Sequence, residues 1–337
     1  MGKVLRVAIR RCVNAGVTIL GIICLNYVLI RLMPGDPNLS FAPRNRQYIG
    51  LVEYNRQLFG LDKSPLDQFL IYLHNMFTLD WGLSYFYRAP VAEILFQDLS
   101  WTLLLVGTST VITILIGMVV GSYAAAKRGK PFDLVSTGLG IFFYGMPIFW
   151  LAIVLQAAFS KTSPISAYFS WWPVLPSQGR IDLPPFPQTW SWDWVHIGNA
   201  LLHLILPALT LSLGTLAGIS LVMRSSLIDA MTEDYVLTAK AKGLSDRQVL
   251  RRHIFPNGLP PMVSLIALDI AFVVGGAYQV EVVFNYKGIG WRTIDAIHNL
   301  DYPLLQFIVV IGGVAIVLAN LVSDFILLAL DPRIKVA

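Results

Sequence analysis

Three polar side chains stand inside long apolar stretches, Asp269, Asn320 and Asp324, the last two sharing one helical face at i, i+4 spacing. A carboxylate at the centre of a bilayer costs about 3 kcal/mol or more, so these groups must face protein or water. They either line or gate a path for a solute, or pair with neighbouring helices through groups such as Asn14, Asn26 or the hydroxyls of the second apolar stretch. Two carboxylates on separate stretches also fit an intramembrane aspartyl protease dyad sharing one proton, and a polar lining fits a passive channel. Other reaction chemistry has little support. The chain has no G-x-x-x-x-G-K-[ST] phosphate loop, and Gly288-Ile289-Gly290 lacks a third glycine. It has no H-E-x-x-H, and its five histidines show no ligand spacing, so no metal site is expected. Cys12 and Cys24 both fall in the first apolar stretch, which leaves no disulfide framework.

The second informative stretch is a charged island, residues 232–261, between two long apolar segments. Thr232 is placed to cap a short helix whose first turn carries Glu233 and Asp234, where the helix dipole favours acids. Gly243 offers a left-handed stop, with Leu244 as its apolar contact. Ser245 and Gln248 have capping-box spacing for a second helix, which carries Arg247, Arg251 and Arg252 until Pro256, Pro260 and Pro261 interrupt it. Ala239 and Ala241 flank Lys240, and Lys242 follows, so the first helix presents a small face that a partner surface can approach.

The elements around these residues follow from composition. Of 337 residues 55% are hydrophobic and 13% charged, against about 25% charged in a soluble domain. Mean hydropathy is +0.64. Six stretches are long enough to span the bilayer: 12–32, 101–126, 134–160, 197–223, 259–280 and 304–330. The fold class is therefore all-α and polytopic, with six transmembrane helices. A secretory signal peptide is the competing reading of the first stretch, but the run is too long and lacks a small-x-small cleavage site. Residues 38–100 are mostly polar with interspersed aromatics and read as short helices and turns. Residues 161–196 form a proline- and tryptophan-rich insert holding Trp171, Trp172, Trp190, Trp192 and Trp194, which reads as an aromatic belt at the lipid boundary or as a docking surface.

Six spans put both termini on one side. That side, with the Lys127–Lys130 hinge and the island, holds fifteen of the 25 lysines and arginines on fewer than half as many residues as the opposite side, which holds nine. The positive-inside rule thus places both termini and the island in the cytoplasm, and the net charge of +5 calls for no nucleic acid.

The run Asp234-Tyr235-Val236-Leu237-Thr238-Ala239-Lys240-Ala241-Lys242-Gly243-Leu244, followed by Arg252-His253, resembles the cytoplasmic EAA loop of binding-protein-dependent ABC importer permeases. Within them it is most similar to the B-type permeases of the dipeptide, oligopeptide and nickel group. Leu237 and Thr238 stand where the general pattern has Glu and Ala. Met33-Pro34-Gly35-Asp36-Pro37 matches that group's signature after its first helix, and Glu281-Val282-Val283-Phe284, Asp301-Tyr302-Pro303 and Asp331-Pro332-Arg333 resemble its later segments. The resemblance implies a type I importer permease fold in the cell's inner (plasma) membrane. Residues 1–100 would be an N-terminal helix plus extracytoplasmic region, and 101–332 a transmembrane core with coupling helices at 232–257. It implies that Asp234, Tyr235, Thr238, Ala239, Ala241, Lys242, Gly243 and Leu244 engage an ATPase. Expected partners are a sister C-type permease forming a heterodimer, two ABC ATPase subunits carrying ATP and Mg, an extracytoplasmic substrate-binding protein, and membrane lipid. The chain itself would hold no cofactor and would not be an enzyme. Cargo would be di- or oligopeptides, with oligosaccharides or nickel as alternatives.

Overall fold

In hydrocarbon a backbone has no water to satisfy its N–H and C=O groups, so long apolar runs become helices. A computed structural model of the chain describes residues 2–32, 49–181, 194–263, 265–266 and 277–330. Every regular element among them is helical, apart from one isolated bridge between Leu83 and Pro90. In chain order they are α1 (Gly2–Leu32), α2 (Ile49–Leu58), α3 (Pro65–Thr78), α4 (Val91–Ala126), α5 (Pro131–Gly145), α6 (Ile148–Phe159), α7 (Pro164–Tyr168) and α8 (Trp194–Met231). Then come α9 (Asp234–Ala241), α10 (Asp246–Val249), a π-helical turn (Leu250–Ile254), α11 (Phe255–Gly258), α12 (Tyr278–Val283), α13 (Ile289–His298) and α14 (Tyr302–Leu330).

Five segments among the described residues are long and apolar enough to cross a membrane: Arg6–Leu32, Val91–Ala126, Ile148–Tyr168, His196–Met231 and Tyr302–Val322. Half of the remaining expected span, 259–280, falls outside the described residues. Helix α4 starts ten residues before the expected boundary at 101, since Glu93 and Asp98 extend it beyond its apolar window. The stretch expected as one span at 134–160 is two helices. Pro147 forces the residue before it out of the helical region, and Met146 is extended at φ −77°, ψ 133°.

The main packing is α4 on α8. Ser109, Thr113, Gly117 and Gly121 recur every four residues on α4 and form one narrow ridge. Ser212 Oγ donates to the Ser109 carbonyl at 3.2 Å, and the Thr113 and Thr215 hydroxyls meet at 3.1 Å. A Cβ on Gly117 would lie 2.6 Å from Ile219 Cγ2, and one on Gly121 would run into the Ser220 carbonyl. The two backbones therefore approach as closely as glycine allows.

Helix α1 packs along α14. Beyond its Leu32 end, the region 49–90 folds into short helices and turns, as its composition predicts. Ser64 caps α3 by accepting from the Asp67 N–H, and Pro65 follows at its first position. Tyr72 of α3 is buried against α1, where its hydroxyl accepts from Asn26 Nδ2 at 3.1 Å. In the insert, Trp172 Nε1 donates to the Ala158 carbonyl at 2.9 Å and its ring stacks on Phe159, while Trp171 stays 73% exposed. Trp190 and Trp192 lie outside the described residues, as does the segment 33–37.

Because the ridge leaves no room, Gly121→Ala is expected to destabilise the protein by about 1–3 kcal/mol through overpacking. Gly107→Ala, on the same helix where a Cβ meets nothing within 4 Å, should leave stability unchanged. Thermal unfolding of the detergent-solubilised chain, followed by tryptophan fluorescence, checks the contrast.

Candidate functional site

The island folds as the local chemistry directs, with two differences. Helix α9 ends in a complete Schellman motif: the Gly243 N–H reaches the Lys240 carbonyl at 2.9 Å, the Leu244 N–H reaches the Ala239 carbonyl at 3.4 Å, and Gly243 sits at φ +80°. Gln248 Oε1 accepts from both the backbone N–H and the hydroxyl of Ser245 at 3.0 Å, which starts α10. The N-cap of α9, however, is Glu233 and not Thr232, whose hydroxyl donates to the Asp229 carbonyl and finishes α8 instead. Nor does Pro256 interrupt the second helix. The helical path widens to a π turn at Leu250–Ile254, in which the Phe255 N–H bonds the Leu250 carbonyl, and Pro256 enters α11 at its start, where a missing N–H is tolerated.

The faces of α9 divide sharply. Val236 and Ala239 are buried in a cluster with Leu227 of α8, Ile254 of the π turn and Met262. Ala239 is thus turned inward and is not part of an open small face, because burial of Val236 three residues earlier fixes which side packs. Asp234, Thr238, Ala241, Lys242 and Gly243 are exposed, Tyr235 and Leu244 are half-buried, and Leu237 projects at 72% exposure. Tyr235 is tied back by its hydroxyl to the Ala230 carbonyl at 3.2 Å. An exposed ion pair, Lys240 to Asp246 at 3.2 Å, links α9 to α10.

Next to the island, Asp133 of α5 accepts from the Arg224 guanidinium through both carboxylate oxygens, and from the Gly129 N–H at 2.8 Å. The Arg224 guanidinium, followed by the Gly129 N–H, lowers the Asp133 carboxyl to about 2. This latch joins the basic hinge to α8 ten residues before α9 begins at Asp234.

The opposite ends of α4 and α8 carry a buried ionic knot. Asp98 of α4 has no exposed surface and binds two cations: Arg292 of α13, and Arg180, whose Nη1 lies 3.0 Å from one carboxylate oxygen and 2.8 Å from the Lys287 carbonyl. Arg180 lies over the Trp101 ring and Arg292 over Tyr87. Beside them Thr102 donates to Glu281 at 2.9 Å and accepts from the Ile289 N–H at 2.8 Å, and the Trp291 N–H binds the other Glu281 oxygen. Asp301 is buried and accepts from the Ser84 hydroxyl and from the Tyr85, Phe86 and Leu304 N–H groups. Burial raises the Asp301 carboxyl above the usual range, against the lowering effect of the Ser84 hydroxyl.

Of the polar residues singled out within apolar stretches, Asp269 lies outside the described residues. Asp324 is paired with Arg11 of α1, and Asn320, one turn away, is exposed. Neither lies in the island or the knot. Asn26 is used elsewhere, bonding Tyr72 and the Gln306 carbonyl. The residues of the knot and the latch were not anticipated. The available signal was a lone charge just outside each apolar window: Asp98, Asp133, Arg224 and Asp301.

The family model for the inner membrane component of binding-protein-dependent transport systems matches residues 117–336. The chain belongs to this family. Among its relatives, the dipeptide transport system permease protein of Escherichia coli strain K12 is 34% identical, covering 94% of this chain and 95% of its own length. The oligopeptide transport system permease protein of Bacillus subtilis strain 168 is 30% identical over 97% of this chain and 98% of that protein. The glutathione transport system permease protein of Escherichia coli strain K12 is 32% identical over 98% and 99%. A chain of the MetNI methionine ABC transporter, solved in an inward-facing conformation, superposes with a TM-score of 0.53 at 18% identity, covering 72% of this chain and 98% of that one, and shares the fold.

Arg292→Gln leaves Asp98 buried with half its compensation and is expected to lower stability by about 3–5 kcal/mol, measured by denaturant or thermal unfolding in detergent. Asp133→Asn tests the latch by its pH dependence. Since the folded carboxyl is depressed from 3.8 to about 2, its stabilisation is full above pH 3.8 and disappears as pH falls through about 2. The difference in unfolding midpoint between wild type and variant should follow that window.

Proposed function

We propose that this permease subunit forms one half of the pore of an ATP-driven importer of di- or oligopeptides, and that α9 is the element its ATPase pushes. The carrying observation is Leu237, a large apolar side chain exposed on a short helix whose other face is packed through Val236 and Ala239 and whose end is stopped at Gly243. An apolar knob on a charged island is what a groove in a partner protein would grip. Asp234, Thr238, Ala241, Lys242 and Gly243 surround it on the open side, while Tyr235, Ala239 and Leu244 hold the helix in place. The peptide cargo is supported by the relatives, whose names specify dipeptides, oligopeptides and glutathione, itself a small peptide.

In this reading the termini, the hinge and the island lie in the cytoplasm, and the ionic knot lies on the outer side, where a substrate-binding protein docks. A sister permease supplies the other half of the pore, two ATPases supply ATP and Mg, and lipid surrounds the assembly. Residues 1–100 form the peripheral helix and outer region, and 101–332 form the core. Asp269 and Asn320 are the candidates to face the path, and Asp324 serves the α1–α14 contact through Arg11. Closure of the ATPases moves α9, and its buried face carries α8 and the segment after α11 with it. The Asp133–Arg224 latch makes α5 follow. ATP hydrolysis then releases the pair of packed states in the reverse direction.

Leu237→Glu, at an exposed position, should leave thermal stability unchanged and reduce ATP-dependent peptide uptake by the assembled transporter in proteoliposomes at least about tenfold. Uptake equal to wild type would refute the assignment of α9. Ala239→Glu should differ by lowering stability as well, because it puts a charge into the cluster around Leu227 and Met262.

A further inference from the structure

Away from α4 and α8, the Leu32 end of α1 borders a cavity of about 380 Å³ shared with α3 and the start of α14. Its walls are mostly aromatic and aliphatic, including Phe59, Leu61, Tyr72, Tyr85 and Tyr302. Arg31 is the only charged side chain among the described lining residues.

Among the described residues that guanidinium is held by neutral groups. Its face lies 3.7 Å from the centre of the Tyr27 ring, and Nε and Nη2 both donate to Gln68 Oε1, at 3.2 and 2.9 Å. Gln68 is itself fixed by its amide donating to the Leu61 and Lys63 carbonyls, at 3.2 and 3.0 Å. Tyr27 is fixed by its hydroxyl donating to the Pro65 carbonyl at 2.9 Å. No carboxylate among the described residues is paired with Arg31, so within them its orientation is set by Gln68 and Tyr27 and its charge has no counterion. A preorganised planar guanidinium matches a phosphate or carboxylate edge.

The position adds the second half of the ligand. Arg31 sits in the last turn of a helix long and apolar enough to span the bilayer. Its neighbours Val28, Leu29 and Leu32 are exposed large apolar residues, as a lipid-facing surface requires. A cation at that depth lies at the headgroup level. The cavity behind it is too apolar for a free anion and suits a hydrocarbon chain.

We propose that this cavity is a binding site for an anionic phospholipid of the adjoining leaflet, the headgroup phosphate on Arg31 and the upper part of one acyl chain between Phe59, Leu61 and Tyr85. The lipid wedges α1 against α3 and α14, so the peripheral helix is held to the core partly by a molecule of its solvent.

The test is native mass spectrometry of the full chain in nonionic detergent, with phosphatidylglycerol, phosphatidylcholine of the same acyl chains, or inorganic phosphate as probe. Phosphatidylglycerol should be retained at least about tenfold more than phosphatidylcholine. Arg31→Gln should lose that preference, and Leu61→Trp, which fills the cavity, should lower retention while the unfolding midpoint of the delipidated chain stays at the delipidated wild-type value. Equal retention of the two lipids, or unchanged retention in both variants, overturns the proposal. So does displacement of the lipid by inorganic phosphate at equal concentration, which would make the site a free-phosphate site.

Discussion

Lipid tails are as apolar as leucine, so two helices in a bilayer gain nothing from burying leucine against each other. What holds α8 to α4 is close approach. Gly117 and Gly121 remove the side chains that would keep Ile219, Ser220 and Met223 at a distance, and hydroxyls at Ser109, Thr113, Ser212 and Thr215 close the remaining gap with hydrogen bonds. The Asp133–Arg224 latch depends on this pairing. With α8 displaced by a few ångström, Arg224 could not reach Asp133 with both of its bonds.

Charge is arranged around the paired helices in a way that lipid solvation explains. The midsection shared by α4 and α8 contains hydroxyls and glycines, which satisfy themselves within one or two helices at small cost. Full charges are kept to the ends, where Asp98 meets two arginines and Asp133 meets one. The knot at the far end is more elaborate because it joins more chain: it draws together α4, the middle of the insert at Arg180, α13 and the turn before α14. A buried ion cluster of this kind contributes little net stability over an apolar core of equal volume. Its contribution is to disfavour every alternative arrangement, since any other leaves a charge unpaired out of water.

Sequence reading succeeded where the deciding interactions are local. Gly243 and Leu244 stop α9 through bonds that reach back three and five residues, and Ser245 and Gln248 start α10 within one turn, so the residues involved are neighbours in the text. It failed where the partner is remote. Arg180 and Arg292 lie 82 and 194 positions from Asp98, and Ser84 lies 217 from Asp301. Nothing in a local window links them. Proline misled in both directions. Pro147 stands in an apolar run that hydropathy reads as continuous, yet it breaks the helix because it restricts Met146; Pro256 stands in a charged run that reads as broken, yet a π turn carries the helix through it. The face of α9 was misjudged for a related reason. The alanines flanking Lys240 suggest an open surface, but the burial of Val236 decides the rotation of the helix and turns Ala239 inward.

The irregular points of the backbone are unevenly placed, and this bears on how a push at one end could act at the other. The two-residue link between α8 and α9, the π turn and the join to α11 all lie at the island end. Helix α8 then runs unbroken for 38 residues, about 57 Å at 1.5 Å per residue, with Pro207 as its single interior proline. Bends absorb displacement and straight helices transmit it. In the proposed reading a force on α9 has irregular joints on both of its flanks, yet its buried residues Val236 and Ala239 share one apolar cluster with Leu227 of the long helix. The displacement that survives the joints is the component carried by that packed contact, and the closely seated α4–α8 ridge leads it toward the knot, where Asp98, Arg180 and Arg292 offer one low-energy arrangement. A device made this way responds by switching between discrete packings, because neither the glycine ridge nor the charge cluster has a continuous range of comfortable positions.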